Sequence, residues 1–66
     1  MSFAEKNRLL RRAEVEDQFG IPIRYLEVAV SRGEGPPIVR LGRSVRYRVC
    51  DIQSWIEQRV EGNPNE

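Results

Sequence analysis

Residues 36 to 48 read Pro-Pro-Ile-Val-Arg-Leu-Gly-Arg-Ser-Val-Arg-Tyr-Arg and hold four arginines and no acid. A guanidinium stays charged at any working pH, and its planar fork of N–H donors matches two phosphate oxygens or the edge of a guanine. Cationic and apolar side chains alternate here with a period of two, which is a strand pattern, on either side of Gly42-Arg43-Ser44. The sequence therefore predicts a hairpin with that triplet as its tip. Val39, Leu41, Val45 and Tyr47 are expected on one packed face, and Ile38, Arg40, Arg46 and Arg48 on the other. Arg40, Arg43, Arg46 and Arg48 become candidate contacts to phosphate or to a minor groove, whose negative potential suits guanidinium, and Ser44 adds a hydroxyl donor. The plainer alternative is an edge strand kept soluble by its charges, with Ser44 a simple turn residue.

Charge placement says more than total charge, which is only +1. Residues 1–34 carry six Lys and Arg against six acids, residues 35–50 four Arg and no acid, and residues 51–66 one Arg against four acids. The positive field is local to the hairpin, and a local field orients one face toward a polyanion.

Other chemistries find little support. The chain has one cysteine, Cys50, and no histidine, so disulfide frameworks, common zinc sites and imidazole acid–base catalysis are not expected. A thiol nucleophile needs a base beside it, and Cys50 reads instead as a small, partly buried residue at a helix start. Asp51 suits a helix start and Glu57 a solvated face, so they are not read as a catalytic pair. No enzyme, metal or cofactor is expected. At 66 residues one domain is expected to hide only about 60% of its unfolded surface, which leaves little room for a deep substrate cleft. The apolar runs are too short to span a bilayer and no signal-peptide core is apparent; a cytoplasmic protein with no membrane partner is expected.

The elements that position the arginines follow from spacing. Residues 1–8 are polar apart from Phe3 and are expected to form a flexible arm. Leu9 and Leu10 give the first apolar anchor. Val15 and Phe19, at i and i+4, mark a short helix over 12–19 that Gly20 ends. Pro22 favours the first turn of a second helix, where Leu26, Ala29 and Val30 form the inner stripe. Gly33, Gly35, Pro36 and Pro37 turn the chain into the hairpin. A last helix from about Cys50 to Val60 carries Ile52, Trp55, Ile56 and Val60 on one side, and residues 62–66 are expected to be disordered. Trp55 and Tyr47 are read as core rather than as platforms for base stacking.

Two short helices joined through Gly20-Ile21-Pro22 have the spacing of a helix-turn-helix, and a basic hairpin directly after them makes a winged version. The expected fold is mainly α with a small β-hairpin: a winged helix-turn-helix over 9–61 with a closing helix. In that arrangement the outer face of the second helix meets a major groove. Arg24 and Glu27 are then the candidate base readers, and Tyr25 and Val28 would contact thymine methyls or sugars. The alternative is that Arg24 and Glu27 solvate the helix face, paired to each other at i and i+3.

Leu9-Leu10, Glu14-Val15, Phe19-Gly20-Ile21-Pro22 with Arg24 and Leu26, Arg32-Gly33, Gly35-Pro36-Pro37, Val39 to Arg43, Val45 to Arg48, and Asp51-Ile52 with Trp55-Ile56 together resemble one family. It is the winged helix-turn-helix domains of the MerR superfamily, in the AlpA-like and excisionase-like subgroup of prophages and mobile elements. The resemblance runs from Leu9 to Arg59 and implies sequence-specific binding of double-stranded DNA by a transcription regulator or an excision factor. It also implies an integrase, RNA polymerase or further copies of the chain as partners on DNA. The chain departs from the pattern at Arg11-Arg12, where a Thr or Ser cap followed by Pro is usual, at Glu16 in place of Ala, and at Ala29 in place of a bulky Trp. A rival reading from a different class is a protein-interaction module on the same scaffold without DNA binding.

Overall fold

The computed structural model of the chain describes residues 3–62. In chain order they form α1 (Phe3–Lys6), β1 (Leu9–Leu10), α2 (Arg12–Phe19), α3 (Ile23–Ser31), β2 (Val39–Leu41), β3 (Ser44–Arg48) and α4 (Val49–Glu57). The strands make one antiparallel sheet in the order β1-β3-β2, so the architecture is a small mixed α/β domain. Among the described residues no helix is long and apolar enough to cross a membrane.

Five side chains are sealed from solvent: Leu10, Val15, Leu26, Tyr47 and Ile52, one from each of β1, α2, α3, β3 and α4. Ile21 and Val49 complete this cluster, and Phe19, Ile38, Val45, Trp55 and Ile56 pack around it half-buried. Each fully buried side chain of this size contributes about 1.5–3 kcal/mol. Because every major element supplies one, none of the elements has a core of its own.

The two-residue strand β1 enlarges the expected hairpin into a three-stranded sheet. Leu9 pairs with Arg48 and Leu10 with Tyr47, and the Val49 N–H continues the pairing by donating to the Arg8 carbonyl at 3.2 Å. Of the expected arm, residues 1–2 lie outside the described residues, and Phe3–Lys6 form one helical turn beside α4. Residues 63–66, in the expected tail, lie outside the described residues. At the other end, α4 stops at Glu57 and Val60 is 63% exposed, so Val60 does not belong to the apolar stripe predicted for it. An Ile56–Val60 register needs a further helical turn, and the chain tightens instead into a turn in which the Arg59 N–H donates to the Ile56 carbonyl at 2.9 Å.

Helix α2 begins without the usual Ser or Thr cap. Arg11 occupies the N-cap in extended conformation, and an arginine side chain has no acceptor to offer the first-turn N–H groups. Glu14 makes the reverse half of a capping box instead: its Oε1 accepts the Arg11 backbone N–H at 2.9 Å, satisfying one donor that the helix cannot. Arg11 and Arg8 also lie within 3.6 and 3.8 Å of the same carboxylate.

The backbone N–H of Arg11, helped by the charges of Arg11 and Arg8, holds the Glu14 carboxyl below its ordinary value of 4.5. A carboxyl depressed on folding adds stability that is complete above the unfolded value and is lost as pH falls through the folded one. The unfolding midpoint is therefore expected to decline as pH drops below about 4.5, and Glu14→Gln is expected to lower the neutral-pH midpoint while flattening that decline; thermal melts of both proteins from pH 7 to pH 3 check it. The Tyr47 hydroxyl is buried and finds no partner among the described residues, and an unpaired buried hydroxyl costs about 1–3 kcal/mol. Urea unfolding is expected to show Tyr47→Phe at least as stable as the parent and Tyr47→Ala weaker by about 3–5 kcal/mol; a clearly weaker Phe variant would mean that the hydroxyl is hydrogen-bonded.

Candidate nucleic-acid interface

Helix α3 is anchored along one side and open along the other. Leu26 and Ala29 are buried, whereas Arg24, Tyr25 and Glu27 are exposed and Val28 is half-buried. The anchoring starts at the turn. Gly20 takes a left-handed conformation, φ 74°, and donates its N–H to the Glu16 carbonyl at 2.9 Å, which closes α2 in the manner glycine permits. Ile21 then enters the core and Pro22 becomes the N-cap of α3.

Proline has no side-chain acceptor for the first turn of α3, and Glu16 supplies one from the preceding helix. Its Oε2 accepts the Ile23 backbone N–H at 3.1 Å. A carboxylate at that end also suits the positive pole of the helix dipole. The unusual Glu16 is therefore a strut that ties the end of α2 to the start of α3. Spacing gave no sign of it, because the bond links residues seven apart across a turn.

The far end of α3 is fixed just as closely. The Gly33 N–H donates to the Val30 carbonyl at 3.1 Å and the Glu34 N–H to the Ala29 carbonyl at 2.7 Å, the paired bonds of a Schellman motif. Gly35 follows at φ 84°, and a Cβ placed on it would stand 2.9 Å from the Ala29 Cβ. That close approach explains why position 29 holds a small residue: a bulkier one would push the loop that launches the hairpin away from α3.

The hairpin tip is one residue shorter than the sequence suggests. Leu41 pairs with Ser44, Arg40 with Val45 and Val39 with Arg46, leaving only Gly42-Arg43 as the loop. A positive φ of 60° at Gly42 and not at Arg43 is the pattern of a type II′ turn, which suits the twist of a hairpin. Shortening the loop by one residue reverses the parity between strands. Ile38 and Arg40 thus share a face with Val45 and Tyr47, toward the core, and Val39 and Leu41 share the outer face with Ser44, Arg46 and Arg48. This corrects the predicted grouping of Val39 and Leu41 with Tyr47. Leu41 is 50% exposed as a result, and Leu9, on the same outer face opposite Arg48, is 40% exposed.

The four arginines of the hairpin separate into different environments. Arg43 projects from the tip and is exposed, and Arg40 is exposed beside a cleft of about 240 Å³ that it lines together with Val30 at the end of α3 and the loop from Gly33 to Ile38. Neither takes part in an ion pair among the described residues, and the same holds for Arg24 and Arg46. Arg46 is half-buried, with Nη1 donating to the Val45 carbonyl at 3.0 Å.

Arg48 differs. Its Nε and Nη2 donate to the two carboxylate oxygens of Asp51 at 2.8 and 3.1 Å, and that fork raises the guanidinium above its already high ordinary value. Its guanidinium is thus engaged by a carboxylate while its side chain stays 44% exposed, so a phosphate would compete with Asp51 for it. Asp51, in the first turn of α4, serves the helix start as expected and also holds Arg48.

The remaining candidates differ in exposure and partners. Arg24 and Glu27 are both exposed on α3 and form no ion pair with each other, so the Arg24 fork is open to a ligand. Ser44 is exposed at the foot of the tip. Tyr25 is 45% exposed, yet its ring lies 6.0 Å from that of Trp55, tilted by 53°, so part of it is already engaged by α4. Trp55 is half-buried against the core. Cys50 is half-buried and unpaired, and among the described residues no group of three His, Cys, Asp or Glu side chains is placed to hold a metal. Comparison with protein-family models, with curated proteins and with solved structures finds no match to the chain.

Gly35→Ala is expected to destabilise the domain by about 1–3 kcal/mol, since it combines a left-handed residue with a close contact. Equilibrium unfolding in urea measures this; a variant as stable as the parent would show that the α3-to-hairpin loop does not depend on that close approach.

Proposed function

We propose that the chain binds double-stranded DNA as a winged helix-turn-helix protein, with α2 and α3 as the helix pair and β2 and β3 as the wing. The observation that carries this reading is the exposure of Arg24 on α3 and of Arg40 and Arg43 on the hairpin, each without an internal carboxylate partner among the described residues. A cation exposed without a counter-ion loses little by meeting a phosphate, whereas a paired one must first give up its partner. In this reading Arg24 and Glu27 approach base edges in a major groove, Tyr25 and Val28 flank them, and Arg40, Arg43, Ser44 and Arg46 meet the backbone or the minor groove.

The resemblance to AlpA-like and excisionase-like proteins supports a regulator or excision factor of a prophage or other mobile element, acting in the cytoplasm. One unit covers few base pairs, and specificity then calls for further copies along the DNA or a partner such as an integrase or RNA polymerase. A second reading, a protein-interaction module, draws on a particular feature: Leu9 and Leu41 are exposed on the outer face of the sheet, where an apolar partner would settle.

Salt dependence separates these readings. The slope of log affinity against log salt measures the phosphates neutralised, close to one per contact. Arg40, Arg43 and Arg46 are expected to contribute about three to that slope, and Arg43→Gln is expected to lower it by about one on specific and random duplex alike. Arg48→Gln is expected to leave the slope unchanged. A parent protein that binds no duplex at low salt would overturn the DNA reading in favour of the interaction module.

A further inference from the structure

One cation near α3 has no role in the reading above. Arg59 lies just beyond the end of α4, where its guanidinium carbon sits 4.1 Å from the centre of the Trp55 ring and its Nη1 donates to the Trp55 carbonyl at 3.2 Å. It is exposed and takes part in no ion pair among the described residues. On its own this is an arginine satisfying the carbonyl end of a helix. A second observation points outward: the ring that holds Arg59 also packs on Tyr25, on the open side of α3, at 6.0 Å. The two separations keep the guanidinium within about 10 Å of the Tyr25 ring. A major groove is about 12 Å wide, so a cation at that distance from a helix lying in the groove is close enough to meet the backbone at its edge.

We infer that Arg59 is a phosphate clamp, a DNA contact supplied from just beyond the closing helix and held by Trp55 near Tyr25 of α3; this rests on the DNA-binding reading. The stack leaves the chemistry free. The guanidinium meets the ring through its central carbon, and of its five N–H donors one is committed to the Trp55 carbonyl. The others lie in the guanidinium plane, open to a two-point contact with phosphate oxygens. Holding the group on an aromatic face also reduces the rotamer freedom it would lose on binding. Residues 51–66 carry four acids and this single arginine, so without Arg59 that end of the domain would repel a phosphate backbone.

The test compares parent, Arg59→Gln, Arg59→Lys and Arg43→Gln, with affinity for a fluorescent duplex measured by anisotropy across a salt series. Arg59→Gln is expected to lower the salt slope by about one, equally on random and preferred sequences. Arg59→Lys keeps the charge without the planar fork; it is expected to keep the parent slope and to bind more weakly. A purely structural role for Arg59 would change thermal stability in both variants and leave both slopes at the parent value, and that result overturns the inference. If Arg43→Gln lowers the slope and Arg59→Gln does not, DNA binding stands and the clamp falls. If the parent does not bind duplex at all, both fall.

Discussion

A two-residue hairpin tip decides which way the side chains of β2 point relative to those of β3. With Leu41 opposite Ser44, Tyr47 turns into the core beside Leu10, and Arg46 and Arg48 turn outward. One more residue in the loop would leave β3 with the same alternation and flip β2 against it, exchanging Val39 and Leu41 with Ile38 and Arg40. The observed pairing places Arg40 on the edge next to the end of α3, where it lines the cleft with Val30. It also strands Leu41 in solvent. The side of β2 from which Arg40 projects therefore follows from the two-residue turn that a glycine with positive φ at position 42 permits.

Three acids of the chain join or close its elements. Glu14 closes the start of α2, Glu16 reaches from α2 to the start of α3, and Asp51 ties the end of β3 to the first turn of α4. Each sits where a helix N-terminus lacks a conventional cap, and each satisfies backbone donors or a neighbouring cation without occupying the tip of the hairpin. The stretch from Gly35 to Cys50 has no acid of its own. Its tip consequently keeps an uncompensated charge, and only Arg48, next in line to Asp51, loses it.

Period-two and period-3.6 patterns made the order of elements legible in the sequence: α2 over 12–19, a helix after Pro22, the hairpin and the closing helix all lie where spacing puts them. The sealed positions of Val15, Leu26, Tyr47 and Ile52 were legible for the same reason. What pattern could not reach was pairing. Leu9-Leu10 is too short to announce a strand, and only its bond to β3 makes it one. Loop parity depends on which residues pair across the tip, and two or three loop residues read alike in the sequence. The roles of Glu16, Ala29 and the Arg48–Asp51 fork depend on contacts between elements or on a side chain's choice of partner. Of the candidate interface, Arg24, Glu27, Arg40, Arg43 and Ser44 are exposed as expected. Arg48 is spoken for, and Tyr25 is shared with Trp55.

On the proposed reading, the open side of α3 and the tip of the hairpin form a single surface that receives DNA. Backbone amide shifts of isotopically labelled protein, followed as a short duplex is added at low salt, test this most directly. The expected result is that shifts concentrate at residues 24–28 and 40–46 and leave Leu9, on the outer face of the sheet, in place. Shifts confined to β1 and the residues paired with it, Tyr47 and Arg48, or none at saturating duplex, would contradict it.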